Sequence, residues 1–292
     1  MLPLSRMPVE VVGQVTTLLF DLDGTFVTEN NLEAESYRSL ERVRENGIKT
    51  IAVTGRPAGW CDLMARWWPV DSVVGENGAL AYSKKRGKIE RLSFHSPVDM
   101  GSYQKRLDSL FADLLTKFPG IKLAADQPFR QWDIAVDMAE ESEISLQTAI
   151  EIAAYCKERG AQASISNIHV NIWFGDYNKQ EMSLRVLESL GQDASTAMYI
   201  GDSPNDSPMF GYFPLSVGVR SVLKYRDIID THPAYVTAGD GSQGFVQLLN
   251  YIISTKCRPP AFATSHFFQN TMTLQVRIAS RIRPGQTLSR HL

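Results

Sequence analysis

The feature that most constrains this chain is a short apolar run that ends at two carboxylates. Residues 16–20 (Thr-Thr-Leu-Leu-Phe) are followed at once by Asp21, Leu22, Asp23 and Gly24. An apolar run of this length, bounded by turn residues, predicts a strand buried in a parallel α/β sheet. Ligands of such sheets bind beyond the carboxyl ends of the strands, which is where Asp21 and Asp23 fall. Because two adjacent carboxylates repel each other, the pair favours a shared proton or a hard divalent cation such as Mg²⁺.

Composition narrows the class of protein. The 292 residues are 43% hydrophobic and 21% charged, which is typical of a globular protein with a sizeable apolar core. The formal net charge of -2 and the lack of a run of about 18 apolar residues point to neither a nucleic-acid partner nor a membrane span. The cysteines fit no zinc-binding or disulfide spacing, so we expect a cytoplasmic protein. They are Cys61, Cys156 and Cys257.

The two ends of the chain differ from its middle. Residues 1–14 lack the hydrophobic run and cleavage site of a secretion signal and are predicted to be a loose lead-in. Residues 255–292 contain six Lys or Arg residues and no acidic residue. This composition favours a disordered basic tail, with binding to an anionic surface as the alternative.

The first part of the chain alternates strands with helices. Strand, helix, strand, helix and strand follow one another over residues 16–74, which predicts right-handed crossovers and a parallel sheet. The second strand ends at Thr54 and Gly55, and the third leads into a turn that contains Asn77. These polar residues are therefore expected at the same sheet edge as the first carboxylates.

The same pattern resumes near residue 178. Asn178 and Glu181 fit a capping box that opens a helix, which places Lys179 in the first helical turn. A buried strand over residues 197–200 then ends in a polar turn. That turn contains Asp202, Asn205 and Asp206.

Between these two parts the rhythm changes. A lysine-rich turn predicts a hairpin, and residues 107–118 repeat apolar side chains at helical spacing. Residues 168–174 alternate apolar and polar side chains, as a strand with one buried face does. We therefore expect an α+β domain with an open sheet face at residues 80–178, inserted into an α/β core made of residues 14–79 and 179–254.

These strand-end signals, taken in order, resemble the haloacid dehalogenase superfamily of phosphotransferases. The run Asp21-Leu22-Asp23-Gly24-Thr25 matches its first motif, and Thr54-Gly55-Arg56 matches its second. Lys179 lies where the third is expected, and residues 201–206 match the fourth. The run Gly75-Glu76-Asn77-Gly78-Ala79 and the large insertion resemble the phosphatases with an inserted α/β cap, among them sucrose-phosphate and mannosyl-3-phosphoglycerate phosphatases. The resemblance implies a Rossmann-like core with a parallel sheet.

The resemblance also implies a Mg²⁺-dependent phosphomonoester hydrolase. Asp21 would be the nucleophile that forms an aspartyl-phosphate, and Asp23 would be the general acid and base. Thr54 and Lys179 are expected to hold the phosphoryl oxygens, and Gly55 and Asn77 are expected to be further substrate-binding residues. The expected metal ligands are Asp21, Asp23 (through its backbone carbonyl) and Asp202, with Asn205 and Asp206 orienting them.

The open face of the inserted domain is predicted to choose the substrate. Alternation along residues 168–174 places Ile168 on the apolar face, and His169 and Asn171 on the opposite face. An imidazole and an amide suit the hydroxyls of a sugar, so a small phosphorylated metabolite, and a sugar phosphate in particular, is the expected substrate. Arg130 is expected to bind a second anionic group.

Other readings of the same residues stay open. A phosphomutase or another phosphotransferase on the same core would keep the phosphoryl intermediate instead of hydrolysing it. A phosphate-accepting signalling or binding domain also combines strand-end carboxylates with a threonine and a lysine around Mg²⁺. Each polar residue also has an ordinary structural alternative as a cap or turn former.

Overall fold

The computed structural model describes residues 1–256, so the predicted basic tail beyond residue 256 lies outside the described residues. Within them the strands form one sheet of nine strands and one of three. In chain order the strands are β1 (Leu2–Pro3), β2 (Thr17–Phe20), β3 (Lys49–Val53), β4 (Ser72–Gly75), β5 (Leu80–Lys85), β6 (Lys88–Ser93), β7 (Ile134–Asp137), β8 (Gln162–Ile165), β9 (His169–Trp173), β10 (Ala197–Gly201), β11 (Leu215–Gly218) and β12 (Tyr235–Val236).

The α-helices of the described residues flank these sheets. They are α1 (Val9–Gly13), α2 (Ala34–Glu45), α3 (Ala58–Trp67), α4 (Pro97–Lys117), α5 (Leu146–Glu158), α6 (Lys179–Ser189), α7 (Ser207–Tyr212) and α8 (Gly241–Lys256). Asn178 caps α6 as predicted, because its side chain accepts a hydrogen bond from the backbone N–H of Glu181. In the part of the chain that the structure covers, none of the helices has the length and apolarity that crossing a membrane requires.

The large sheet has the order β1-β12-β11-β10-β2-β3-β4-β5-β6. In this order, each strand from β1 through β12, β11, β10, β2 and β3 to β4 is parallel to its neighbour. Strand β2 is buried on both faces: Leu18 and Phe20 pack with residues of α2 and α8, while Leu19 packs with residues of α6 and α7. This explains why its sequence is continuously apolar and does not alternate. The predicted α/β class with a parallel sheet is confirmed.

The first residues of the chain are part of this core, so the prediction of a loose lead-in is wrong. Strand β1 pairs with β12 at the edge of the large sheet. Leu4, Met7 and Val12 are buried in the hydrophobic core, and the hydroxyl of Tyr251 donates a hydrogen bond to the carbonyl of Met7. Their apolar side chains are spaced too irregularly to predict this packing from the sequence.

The hairpin at residues 80–93 also belongs to the large sheet, whereas the sequence assigned it to the inserted domain. Strand β5 pairs antiparallel with β4, and β6 pairs with β5. The inserted domain proper, here called the lid domain, therefore comprises α4, β7, α5, β8 and β9. The sharp turn after β4 allows the chain to return along the sheet, with Glu76 and Asn77 at φ of 44° and 56°.

The lid domain has its own hydrophobic core. Strands β7, β9 and β8 form an antiparallel sheet, and one face of it packs on α4 and α5. Val170, Ile172 and Phe174 lie in this core, as the alternation predicted. Ile168 differs, because it precedes β9 and lines a pocket beside Asp21 instead.

Candidate active site

The carboxyl ends of β2 and β10 meet in the middle of the large sheet. From β2 the chain proceeds outward to β3 and β4 on one side, while β10, β11 and β12 extend the other side. Ile200 pairs with Phe20, so the residues after each strand, Asp21 and Asp202, emerge side by side. Such a reversal of strand order opens a crevice where α/β proteins bind ligands.

Three buried carboxylates and one lysine occupy this crevice. Asp21, Asp202 and Asp206 can bring one oxygen each within 4.8 Å of one another. The ammonium of Lys179 donates to Asp21 Oδ1 at 2.7 Å and to Asp206 Oδ1 at 2.9 Å. With every group ionised, these side chains carry a net charge of minus two in a buried space.

The pKa values reflect this excess of negative charge. Burial raises the pKa of Asp21 to about 8 against the opposing charge of Lys179. Burial, followed by the charges of Asp21 and Asp206, raises the pKa of Asp202 well above its ordinary value. Burial acts to lower the pKa of Lys179, but the carboxylates of Asp206 and Asp21 outweigh it and raise the pKa. Lys179 therefore stays charged, and the cluster is short of positive charge.

The arrangement fits a divalent cation. A dication would balance the net charge of the cluster, and carboxylate oxygens are the ligands that Mg²⁺ prefers. Asp202 Oδ1 is buried without a hydrogen-bond partner among the described residues, which is costly unless something else binds it. These observations support the predicted roles of Asp21 and Asp202 as metal ligands.

Asp206 organises the loop after β10. Its Oδ2 accepts hydrogen bonds from the backbone N–H groups of Asp202 (3.0 Å) and Ser203 (3.2 Å). Its Oδ1 accepts from the hydroxyl of Tyr199 at 2.6 Å as well as from Lys179. These contacts are consistent with the predicted orienting role. Asn205 faces the same crevice and accepts a hydrogen bond from the hydroxyl of Ser203.

Asp23 is not part of the three-carboxylate cluster and binds an arginine. Its two oxygens accept hydrogen bonds from Arg56 at 2.8 to 3.1 Å. The same guanidinium reaches the lid domain, where it contacts Asp126 at 3.2 Å and Glu140 at 2.8 Å. Arg56 thus connects the expected acid/base to two lid carboxylates.

The loop after β3 places the next group of predicted residues. Thr54 is buried, and its hydroxyl oxygen accepts the backbone N–H of Arg56 at 3.0 Å. Gly55 lines the pocket beside Asp21. A Cβ on Gly55 would lie 3.1 Å from an amide atom of Asn77 and 3.2 Å from one of Asn171, so a larger residue would crowd both amides.

The polar face of β9 lies over this crevice. His169 and Asn171 line the pocket with Asp21, Asp23 and Gly55, and both are buried. His169 Nε2 donates to Glu140 at 2.8 Å, while the amide of Asn171 donates to Asp133. The free volume of this phosphoryl pocket is only about 10 Å³, room for about one water molecule. As it stands, this space is too small for a phosphoryl group.

Arg130 does not have the role predicted for it. Its side chain is fully buried and binds Asp126, Asp133 and the carbonyl of Gly55. Arg130 therefore contacts only protein groups here, and through them it connects the lid domain to the loop after β3. Asn77 joins the same network, since its amide donates to Asp133 at 3.3 Å.

Sequence reasoning missed several of these groups. Arg56 belongs to the second motif, but no role was predicted for it from the sequence. Its position just after a strand end was the signal that could have identified it as a site residue. Glu140 lies in an acidic stretch that looks like an ordinary solvated loop. Glu76 is fully buried and accepts backbone N–H groups of Ala58, Gln131 and Trp132. Glu76 belongs to the run of residues 75–79 that the sequence singled out, whereas no local sequence pattern indicates Glu140.

Comparison with a curated relative covers part of the chain. Phosphoglycolate phosphatase of Pyrobaculum aerophilum is 29% identical over 101 residues, a match that spans 30% of this chain and 44% of that protein. The chain thus matches less than half of the length of this relative.

Solved structures share the fold over most of the chain. Protein 0175 of Thermoplasma acidophilum superposes with a TM-score of 0.64 at 15% identity, covering 82% of this chain and 98% of that one. The sucrose-phosphatase of Synechocystis sp. PCC6803, solved with sucrose and phosphate, has a TM-score of 0.59 at 18% identity, covering 82% and 98%. At these identities the likeness establishes the fold.

The family model of the haloacid dehalogenase-like hydrolases matches residues 18–108 and 122–224. These segments contain all four motifs and most of the lid domain. Because the match extends over more than half of the chain, this protein belongs to the haloacid dehalogenase-like hydrolases.

Proposed function

We propose that this hydrolase is a Mg²⁺-dependent phosphatase of a small phosphorylated metabolite, with a sugar phosphate as the expected substrate. The observation that carries the proposal is the position of Asp21. It ends the central strand beside Lys179, Asp202 and Asp206, with Asp23 two residues further on. The name of the Pyrobaculum aerophilum relative, a phosphatase, agrees with this chemistry.

In the first step an oxygen of Asp21 attacks phosphorus, and the bond from phosphorus to the leaving oxygen breaks. Asp23 donates its proton to that oxygen, so the product leaves as an alcohol. The result is an aspartyl-phosphate on Asp21. Lys179 and Thr54 would stabilise the negative charge on the transferring oxygens, where a buried site makes electrostatic contacts strong.

In the second step water hydrolyses the aspartyl-phosphate. Asp23, now ionised, takes a proton from the water as its oxygen attacks phosphorus. The bond between phosphorus and Asp21 breaks, which releases inorganic phosphate and restores the carboxylate. For Asp23 to serve in both steps, Arg56 must release it at least in part, because the guanidinium now occupies both carboxylate oxygens.

The metal would be held by Asp21, Asp202 and the backbone carbonyl of Asp23. When bound, Mg²⁺ would neutralise charge on the carboxylates and on the phosphoryl group. Asp206 and Asn205 would keep the loop that carries Asp202 in place.

The lid domain would exclude water during the reaction and present His169 and Asn171 to the substrate. Both side chains now bind lid carboxylates, so substrate binding would exchange these contacts.

A cytoplasmic location is a further part of the proposal. Cys61 and Cys156 are buried free thiols in the described residues.

Replacing the nucleophile tests the proposal. Asp21→Asn should lower turnover of an aryl phosphate in the presence of Mg²⁺ by at least about 1,000-fold, as expected for loss of a covalent nucleophile. The matched control is Asp108→Asn, on the exposed side of α4, which should retain wild-type turnover. Turnover by Asp21→Asn close to that of wild type would refute the mechanism.

A second measurement separates a phosphatase from a phosphomutase. Wild-type enzyme is incubated with a panel of sugar phosphates, and inorganic phosphate and isomerised sugar phosphate are both quantified. We expect release of stoichiometric phosphate. Accumulation of isomerised sugar phosphate without phosphate release would establish the mutase instead.

A further inference from the structure

A second, larger space lies next to the phosphoryl pocket. It consists of two adjoining clefts of about 260 and 280 Å³, which share Asn30, Arg56, Trp60 and Glu140. We call it the aromatic groove. It lies between α3 of the core and the loops of the lid domain that carry Phe129 and Glu140.

The aromatic groove connects to the phosphoryl pocket at two residues. Asp23 and Arg56 line both spaces. In the proposed mechanism Asp23 protonates the leaving oxygen, so the leaving group must lie on a side that Asp23 faces. The phosphoryl pocket, at about 10 Å³, has no room for a leaving group, whereas the aromatic groove has.

One wall of the aromatic groove is apolar. Trp60, Met64 and Trp68 line it from α3 and its C-terminal end, and Leu32 lines it from the loop before α2. The exposed fraction of Trp60 is 39%. The Cζ atom of the Arg56 guanidinium lies over its ring, 4.7 Å from the ring centroid. The exposed part of this ring is available to pack against the C–H groups of a ligand.

The polar groups of the aromatic groove are mostly acidic. Its charged lining consists of four carboxylates and one cation. The carboxylates are Asp23, Asp126, Glu140 and Glu141, and the cation is Arg56. Arg56 already binds three of these carboxylates. Carboxylates accept hydrogen bonds from hydroxyls, but they repel an anion.

Resting on the proposed function, we propose that the aromatic groove binds the leaving group and selects neutral, hydroxyl-bearing rings over leaving groups with a second anionic charge. Trp60 supplies the ring face, and Glu140 and Glu141 accept the hydroxyls. A second phosphate or carboxylate finds no uncommitted cation among the described residues that line the groove, because Arg56 still binds Asp126 and Glu140 when it releases Asp23. Arg130, the predicted anion ligand, is buried elsewhere among carboxylates.

Two sugar phosphates of the same ring size test this charge selection. Glucose 1-phosphate and glucuronic acid 1-phosphate differ only by a carboxylate at C6, and both are assayed as substrates and as inhibitors of aryl phosphate hydrolysis. Wild type should favour glucose 1-phosphate, whose sugar is neutral, by roughly tenfold or more, the order of discrimination that one pocket contact provides. Glu141→Lys should reduce this preference by about tenfold, because it places a cation in the groove.

Matched variants separate a groove effect from a general charge effect. Glu143 lies on the same loop, is exposed and does not line the groove, so Glu143→Lys should leave the preference unchanged. Trp60→Ala should lower the ratio of kcat/KM for glucose 1-phosphate to kcat/KM for acetyl phosphate by roughly tenfold, the order of a lost pocket contact, because the leaving group of acetyl phosphate is too small to reach the ring. Trp67→Ala, on the outer face of the same helix, should change neither, and Trp60→Phe should retain most activity on glucose 1-phosphate.

The outcomes distinguish this inference from the proposed function. If wild type hydrolyses no phosphomonoester or acetyl phosphate in Mg²⁺, the proposed function fails. If it hydrolyses acetyl phosphate but shows no preference between the two sugars, or neither sugar acts as substrate or inhibitor, the groove proposal alone is overturned. An equal change in preference with Glu141→Lys and Glu143→Lys would also overturn it.

Discussion

At the scale of single residues, Gly24 shows how closely the first and fourth motifs meet. Its φ of 83° lies in the left-handed region, which favours glycine. A Cβ at this position would lie 2.1 Å from Asp202 Oδ2, well inside contact distance. Gly24 therefore allows the loop after β2 to lie against the expected metal ligand on the neighbouring strand.

We expect Gly24→Ala to lower kcat for phosphomonoester hydrolysis by about 100-fold, the effect of displacing a catalytic group by roughly 1 Å. The physical reason is that the added methyl group must push Asp202 away. Gly87→Ala is a matched control, since Gly87 has a φ of 77° but no atom within 4 Å of an added Cβ. Both variants carry the backbone strain, so a similar loss of kcat in the two would contradict this explanation.

At the scale of elements, the loops after β3 and β7 are joined by charge. The loop after β3 supplies Arg56, and the loop after β7 supplies Glu140, which also accepts from His169 of β9. The hydrogen bond from His169, acting with Arg56 against burial, lowers the pKa of Glu140 to about 2. Glu140 thus holds the lid domain to the core through an ionised carboxylate.

This contact should depend on pH in a defined direction. A carboxylate whose pKa is lowered by folding stabilises the folded state above its ordinary pKa of 4.5, and this contribution is lost as the pH falls through about 2. Glu140→Gln should therefore lower the free energy of unfolding by about 1 kcal/mol near neutral pH, the scale of a hydrogen bond to a charged group.

The difference between wild type and Glu140→Gln should shrink progressively as the pH falls from 4.5 toward 2. Denaturant unfolding at several pH values measures it. Glu143→Gln, exposed on the same loop, provides the control and should show little difference at any pH. A difference that stays constant down to pH 2 would show that the Glu140 charge does not hold the lid domain.

At the scale of the whole molecule, the crevice in the large sheet concentrates uncompensated negative charge. Its three buried carboxylates share one ammonium, although the chain as a whole has a net charge of only -2. A cation that binds the folded state and not the unfolded chain stabilises the protein by mass action. The stability of the whole molecule should therefore report on the metal site.

Addition of Mg²⁺ at about 100 times its Kd should stabilise the wild type by about 2.7 kcal/mol. In a protein of this size this raises Tm by several degrees, which differential scanning calorimetry can measure. Asp202→Ala should lose most of this shift, and its metal-free Tm should not fall far, because the substitution also relieves repulsion with Asp21. Asp108→Ala should retain the full shift; an equal shift in Asp202→Ala would exclude Asp202 as a ligand.

Local pattern was enough to predict much of the core. The apolar run before Asp21 predicted a buried parallel strand, and the strand before Asp202 was recognised in the same way. Parallel strands bring their carboxyl ends to one edge, so the meeting of Asp21 and Asp202 followed from the order of the elements, whereas the place of Lys179 was predicted from the family resemblance. The alternation of β9 likewise predicted that Val170, Ile172 and Phe174 would enter the lid core. These inferences succeeded because strand and helix periodicity is a local property of the chain.

Contacts between distant charged groups could not be predicted in this way. Arg130 was expected to face substrate, yet Asp126 and Asp133 enclose it, and the role of Arg56 as the partner of Asp23 and Glu140 has no local signature. Met7 and the hairpin at residues 80–93 joined the core for a similar reason, since only the folded sheet offers the edge and the apolar surface on which they pack. The energy of burying a charge depends on which groups of opposite charge lie within a few ångströms of it, and that is set by the folding of remote segments against each other.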